Sequence, residues 1–147
     1  MTATAHALIG GAIAAAIPNP EIGLPLAVLS HPIADMIPHW DFGLGWRKKK
    51  KILLFTQSSV DLIFGIWVTY LFFGQTTEAL YLWGAVFLSL IWDFLQMPYL
   101  LFGWNFFPFK TFYKFQHEIN RRASLPWGII TQAVTVYGVV LALRFIR

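Results

Sequence analysis

The sequence predicts an all-α, polytopic transmembrane helical bundle of about four to five membrane helices, the first two forming a short hairpin. Three observations lead there. The 147 residues are 57% hydrophobic and only 12% charged, whereas soluble domains run near a quarter charged. Aromatic residues make up 18% of the chain, which excludes a disordered polypeptide. All eleven Lys and Arg fall at 47–51, at 110–122 and at 144 and 147. The stretches between them have the ~20 apolar residues that a helix needs to cross a hydrocarbon core. The length suits a single integral-membrane domain, 1–147. With no cysteine, disulfides, thiolate zinc sites and iron–sulfur clusters are excluded. In so apolar a chain, a net charge of +4 reads as basic loops beside a membrane, and no nucleic-acid partner is expected.

Taken in order, Thr4 to Ile17 is rich in Ala and Gly, as tightly packed membrane helices are. Pro18-Asn19-Pro20 ends it, and Ile22 to Ile37 follows, carrying Pro25 and Pro32. Both pieces are short for a full crossing, so a hairpin, partly re-entrant or sunk among the other helices, is predicted. The Ala-rich start resembles a secretory signal, but no Lys or Arg precedes Arg47, so the basic leader region of such a signal is missing. Three longer spans follow at Ile52–Phe73, Ala79–Phe102 and Leu125–Leu143. Phe106 to Arg122 mixes Phe and Tyr with Lys and Arg and reads as an amphipathic segment lying on a membrane surface. The basic loops at 47–51 and 110–122 are expected on the cytoplasmic side of an inner membrane, and the uncharged turn Gly74-Gln75-Thr76-Thr77 outside. Arg144 and Arg147, at the far end of the last span, run against that orientation.

Within this apolar frame, Asp61 and Asp93 stand inside two predicted spans. A carboxylate at the centre of a lipid-facing helix costs at least ~2.5 kcal/mol, so such groups point inward and usually serve function. His6 lies in the first apolar segment, and His31, Asp35, His39 and Asp41 lie within residues 30–41. His31 and Asp35 are four apart and share one helical face. At a rise of 1.5 Å per residue, Asp61 and Asp93 each lie ~14 Å from the cytoplasmic end of their helices, and His31 ~13 Å above Trp40. His117 falls on the loop beneath. Every His and every Asp therefore maps to the same half of the bilayer or just below it.

Imidazoles and carboxylates drawn from separate helices are the usual ligands of a divalent metal where thiolates are absent. Such an ion also offsets the cost of burying the carboxylates. His6, His31, Asp35, His39, Asp61 and His117 are the expected metal ligands. Asp41 and Asp93 are the expected catalytic carboxylates, one of them a general base. Zinc suits this donor set, with manganese or iron also admitted. Four His and four Asp exceed one tetrahedral shell, so either two ions bind or some groups orient others. Blander roles exist for each residue. His31 and His39 suit satisfaction by backbone carbonyls, Asp35 a buried ion pair with His31, and His117 a solvated loop. Gln57 and Gln96 suit interhelical hydrogen bonds, and Arg121 with Arg122 a wet loop or a phosphate contact.

Thr-Ala-His-Ala-Leu-Ile-Gly-Gly at 4–11 and Ser-His-Pro-Ile-Ala-Asp-Met-Ile-Pro-His-Trp-Asp at 30–41 resemble a family of small bacterial and archaeal membrane proteins. These are described as predicted membrane-bound, metal-dependent hydrolases, distantly related to zinc-dependent phospholipases C. By that resemblance His6, His31, Asp35 and His39 are metal-site residues. The His-Arg-Gly-x-Thr-His-Ser run of some members is missing here. The expected function is hydrolysis of a phosphoester or ester in a lipid or lipid-linked substrate by metal-activated water, with membrane lipid as partner. Two rivals stand beside it. One is a proton- or cation-coupled carrier using Asp61 and Asp93. The other is a non-catalytic membrane protein binding haem or metal through its histidines.

Overall fold

A computed structural model describes residues 1–145; Arg147, one of the two terminal basic residues, lies outside them. Seven α-helices and one short 3-10 helix at Trp46–Lys48 make up the ordered elements, and no strand occurs among the described residues. The α-helices are α1 (Ala3–Ala16), α2 (Pro20–Asp35), α3 (Lys51–Phe73), α4 (Ala79–Ser89), α5 (Ile91–Phe102), α6 (Phe109–Ile119) and α7 (Trp127–Arg144). Two of them, α3 and α7, are long and apolar enough to cross a membrane. The pair α4–α5 meets the same test only as a span bent by 46°.

The first helix is the axis of the molecule. It packs against α2, α3, α4 and α7, and its buried residues run from Ala5 to Ala16 around most of its circumference. Its Ala and Gly content is the cause, because a thin helix lets neighbouring backbones approach. A methyl group added at Gly10 would stand 2.9 Å from the carbonyl oxygen of Ala85 in α4, and one at Gly65 would stand 2.7 Å from the Cα of Thr4. The predicted hairpin is present: α1 ends at Ala16, and Asn19 caps α2 by accepting the Glu21 N–H. Of the two placements expected for it, α1 is sunk among the other helices, and the longer ones lean against it.

The span expected at Ala79–Phe102 is two helices broken at Leu90. The break has a local cause. The carbonyl of Ser89 is taken by the ring of His31 instead of continuing a helical ladder, and Asp93 N–H turns back to Leu90 in a tighter turn. The amphipathic segment is α6, with Tyr113 and Gln116 turned inward and Phe115 and Lys114 exposed. Past α2, the chain at residues 35–39 runs beside 121–123: Arg121 N–H donates to Asp35, His39 N–H to Arg121, and Ala123 N–H to His39. This pairing brings the end of α6 to the end of α2.

Close approach at Gly10 predicts intolerance of a larger side chain. Gly10→Val should destabilise the detergent-solubilised protein by about 1–3 kcal/mol, read by thermal unfolding. Gly84→Ala, whose added methyl meets only Leu24 at 3.5 Å, should be neutral or slightly stabilising.

Candidate metal centre

Where α1 begins and α2 ends, three imidazoles surround one carboxylate. His6, His31, Asp35 and His39 are each 2% exposed or less. His31 and Asp35 share the inner face of α2 through their four-residue spacing, and His39 returns past Pro38 onto the same carboxylate. His6 comes from α1 and stacks on His31 with ring centroids 3.6 Å apart and planes within 9°. Asp93, in the first turn of α5, reaches the group from the other side and is held by Gln96 Nε2 at 2.9 Å.

The ring nitrogens are arranged as ligands. His31 Nδ1 lies 2.6 Å from the Ser89 carbonyl and His39 Nδ1 2.7 Å from the Ile37 carbonyl. A carbonyl only accepts, so both Nδ1 atoms carry the proton, and in the neutral ring each Nε2 is then the atom with a lone pair to offer. Metal-ligating histidines commonly show this backbone anchoring of the far nitrogen. His31 Nε2 stands 3.5 Å from Asp35 Oδ2 and 3.7 Å from Asp93 Oδ1. Charge-assisted hydrogen bonds are shorter, at ~2.7–2.9 Å, whereas donors ~2.0–2.1 Å from a tetrahedral zinc stand ~3.3–3.4 Å apart. One ligand atom each from His6, His31 and Asp93 lies within 4.8 Å of the others, so this buried group can hold a metal ion. His6 Nδ1, Gln116 Oε1 and Asp41 Oδ1 are buried and have no hydrogen-bond partner among the described residues.

Asp41 sits just outside this group, paired with Arg122 Nε at 3.3 Å and 3.6 Å from His39 Nε2. Burial works against its ionisation, but the His39 ring and the Arg122 guanidinium outweigh burial and hold its carboxyl below the usual range. The ammonium of Met1 contacts Asp35 Oδ1 and lies 2.8 Å from His39 Nε2.

All four aspartates line a single cavity of about 120 Å³. Its lining mixes further polar side chains, Asn120 and Arg122 among them, with apolar ones such as Leu54, Phe94, Met97 and Leu101.

Two expected ligands have other partners. Asp61 lines the cavity, but its Oδ2 accepts the Ala3 N–H at 2.6 Å, and its Oδ1 accepts the Thr4 hydroxyl at 2.7 Å and the Thr4 N–H at 3.3 Å. It caps the start of α1 from α3, where unpaired N–H groups and the positive end of the helix dipole favour a carboxylate. His117 is exposed, with its ring stacked on Tyr113. Its neighbour Gln116 is the α6 residue that reaches the centre, 3.2 Å from His31 Nε2. The three-residue spacing of Tyr113 and Gln116 on the inward face of α6 was the available signal for it. A second amide not singled out by sequence, Gln132 of α7, exchanges hydrogen bonds with Thr2 at the start of α1.

Asp61→Ala should therefore cost about 1–2 kcal/mol of stability through the lost cap. Asp61→Asn should retain the bound metal of the wild type in elemental analysis, whereas His31→Ala should lose it. Loss of metal in Asp61→Asn would make Asp61 a ligand after all.

No family model matches the chain, and no curated protein or solved structure matches it significantly.

Proposed function

We propose that this protein is a membrane-embedded, metal-dependent hydrolase acting on a phosphoester of a lipid or lipid-linked substrate. One observation carries the reading: a cavity whose lining combines four carboxylates with aliphatic and aromatic side chains, beside the buried His6–His31–Asp93 group that can hold a metal ion, which suits a substrate with a polar head and an apolar tail. In this reading the chain is a polytopic bundle of about four to five membrane helices in an inner membrane. The centre opens toward the cytoplasmic leaflet, on the side of the basic runs at 47–51 and 110–122. The broad apolar exposure of α3, with Ile52, Ile63 and Leu71 outward, suits lipid contact. The resemblance of residues 4–41 to predicted membrane-bound metal-dependent hydrolases points the same way.

A divalent cation, zinc by the donor set, supplies the Lewis acidity that makes water a nucleophile near neutral pH. His6, His31 and Asp93 would hold it, and Ser89 and Gln96 fix the orientation of His31 and Asp93. Asp41 Oδ1, free of hydrogen-bond partners among the described residues, takes the proton as the water oxygen bonds to phosphorus. The P–O bond to the lipid alkoxide breaks, and the proton passes to that oxygen. Arg122, beside Asp41 on the cavity wall, offers N–H donors to a phosphoryl oxygen. The haem alternative fares worse, since His6 and His31 stack face to face at 3.6 Å with no space for a macrocycle between them.

Purified protein in mixed micelles with phosphatidic acid or phosphatidylglycerol should release a phosphate-bearing or alcohol product. A chelator should abolish the release, added zinc should restore it, and His31→Ala should lower it by at least ~100-fold. Turnover that persists in chelator overturns the reading. Metal-independent proton or cation flux in proteoliposomes would favour a carrier instead.

A further inference from the structure

Gln116 reaches the centre from α6 and is 2% exposed. Aromatic packing fixes the helix that carries it. Phe112 and Phe115 lie against Trp92 of α5, with ring centroids 5.2 and 5.4 Å apart, and Tyr113 stacks on Tyr99 of α5 at 4.4 Å. Trp92 donates its indole N–H to the Val28 carbonyl of α2 at 2.9 Å. The helices that bring Asp93 and Gln116 are thus clasped to each other and to the helix that brings His31. Within this frame the Gln116 amide is only half used. Its Nε2 stands 3.2 Å from His31 Nε2, a ring nitrogen without a proton because Nδ1 donates to the Ser89 carbonyl. Its Oε1 is buried with no hydrogen-bond partner among the described residues, which is costly for an amide oxygen. Half a turn of the amide exchanges Nε2 and Oε1 with almost no change of shape. An oxygen then stands where the nitrogen does, 3.2 Å from His31 Nε2, close to the ~3.3–3.4 Å between neighbouring donors around a tetrahedral zinc.

We infer that Gln116 is the fourth protein donor to an ion held by His6, His31 and Asp93, with the amide turned so that Oε1 faces the ion. The inference rests on the metal-dependent reading above and completes its coordination shell. Without an ion, the Gln116 N–H caps the His31 lone pair; with one, the same side chain offers the oxygen that is otherwise unmet. The donor type has a consequence for charge. An amide oxygen is neutral, so Asp93 is the single anionic donor among the four. The nearby Asp35 carboxylate is already met by the Met1 ammonium. A divalent ion in this shell keeps positive charge to polarise water or a phosphoryl oxygen, and a carboxylate in place of the amide would reduce it.

The test titrates Co(II) into the metal-stripped, detergent-purified full chain and follows the visible absorption, which reports the number and type of donors. Gln116→Leu keeps the bulk of the side chain without a donor. It should bind Co(II) at least ~10-fold more weakly than wild type, with a changed band. Gln116→Glu, which supplies an anionic oxygen at the same place, should bind more tightly than wild type and shift the band. It carries the test alone if Gln116→Leu does not fold. Wild-type affinity and band in Gln116→Leu, or in Gln116→Glu, overturn the inference and leave a three-ligand centre standing. A wild type that takes up no Co(II) overturns the metal-dependent reading and this inference with it.

Discussion

A carboxylate buried beneath the ends of two helices must be met by positive charge or donated hydrogen, and Asp35 sets that requirement for the whole site end of the molecule. With 2% of its surface exposed, an isolated carboxylate there would cost several kcal/mol. The surrounding chain answers from four directions. The start of α1 brings His6 and the Met1 ammonium, α2 brings His31, and the segment after Pro38 brings His39. The fourth contribution is structural: Arg121 N–H binds the Asp35 carbonyl, tying α6 and Arg122 to the same place. A structural ion pair needs one cation, but three imidazoles, two of them with the outer nitrogen fixed on a backbone carbonyl, go beyond that need.

The surrounding bundle serves this convergence by being thin at its axis. Between helices that share an apolar surrounding, association depends on close van der Waals packing and a few interhelical hydrogen bonds more than on burial from water. The small residues of α1 provide the first. The Thr4–Asp61, Thr2–Gln132 and Tyr81–Ile17 hydrogen bonds provide the second, linking α1 and its end to α3, α7 and α4. Because the same helix carries His6, its seating sets the depth of that ring against His31.

Much of this was legible from residues alone where local periodicity governs. The four-residue spacing of His31 and Asp35, the apolar segments and the amphipathic 106–122 stretch needed no tertiary information. The gathering of the aspartates at one end, expected from helical rise, appears as one cavity lined by all four. What escaped the sequence depended on partners distant in the chain. Asp61 looks like any intramembrane acid until the start of α1 is laid against it. The break at Leu90 carries no proline or glycine at its own position and arises because the ring of His31 captures the Ser89 carbonyl. His117 and Gln116 are adjacent, and only the rotation of α6 decides which faces inward. The place of α1 stayed open between two expectations for the opposite reason: an Ala- and Gly-rich segment is compatible with many surroundings, and its neighbours choose among them.

That central place carries a consequence for biogenesis. In the chain α1 precedes α3, α4 and α7, which enclose it, by tens of residues. Until then its glycine faces have no companions, and at 14 residues it is short of the ~20 that hold a helix across a bilayer unaided. This segment is thus made before the helices that seat it, and α2, which packs beside it, is the first companion the chain order provides.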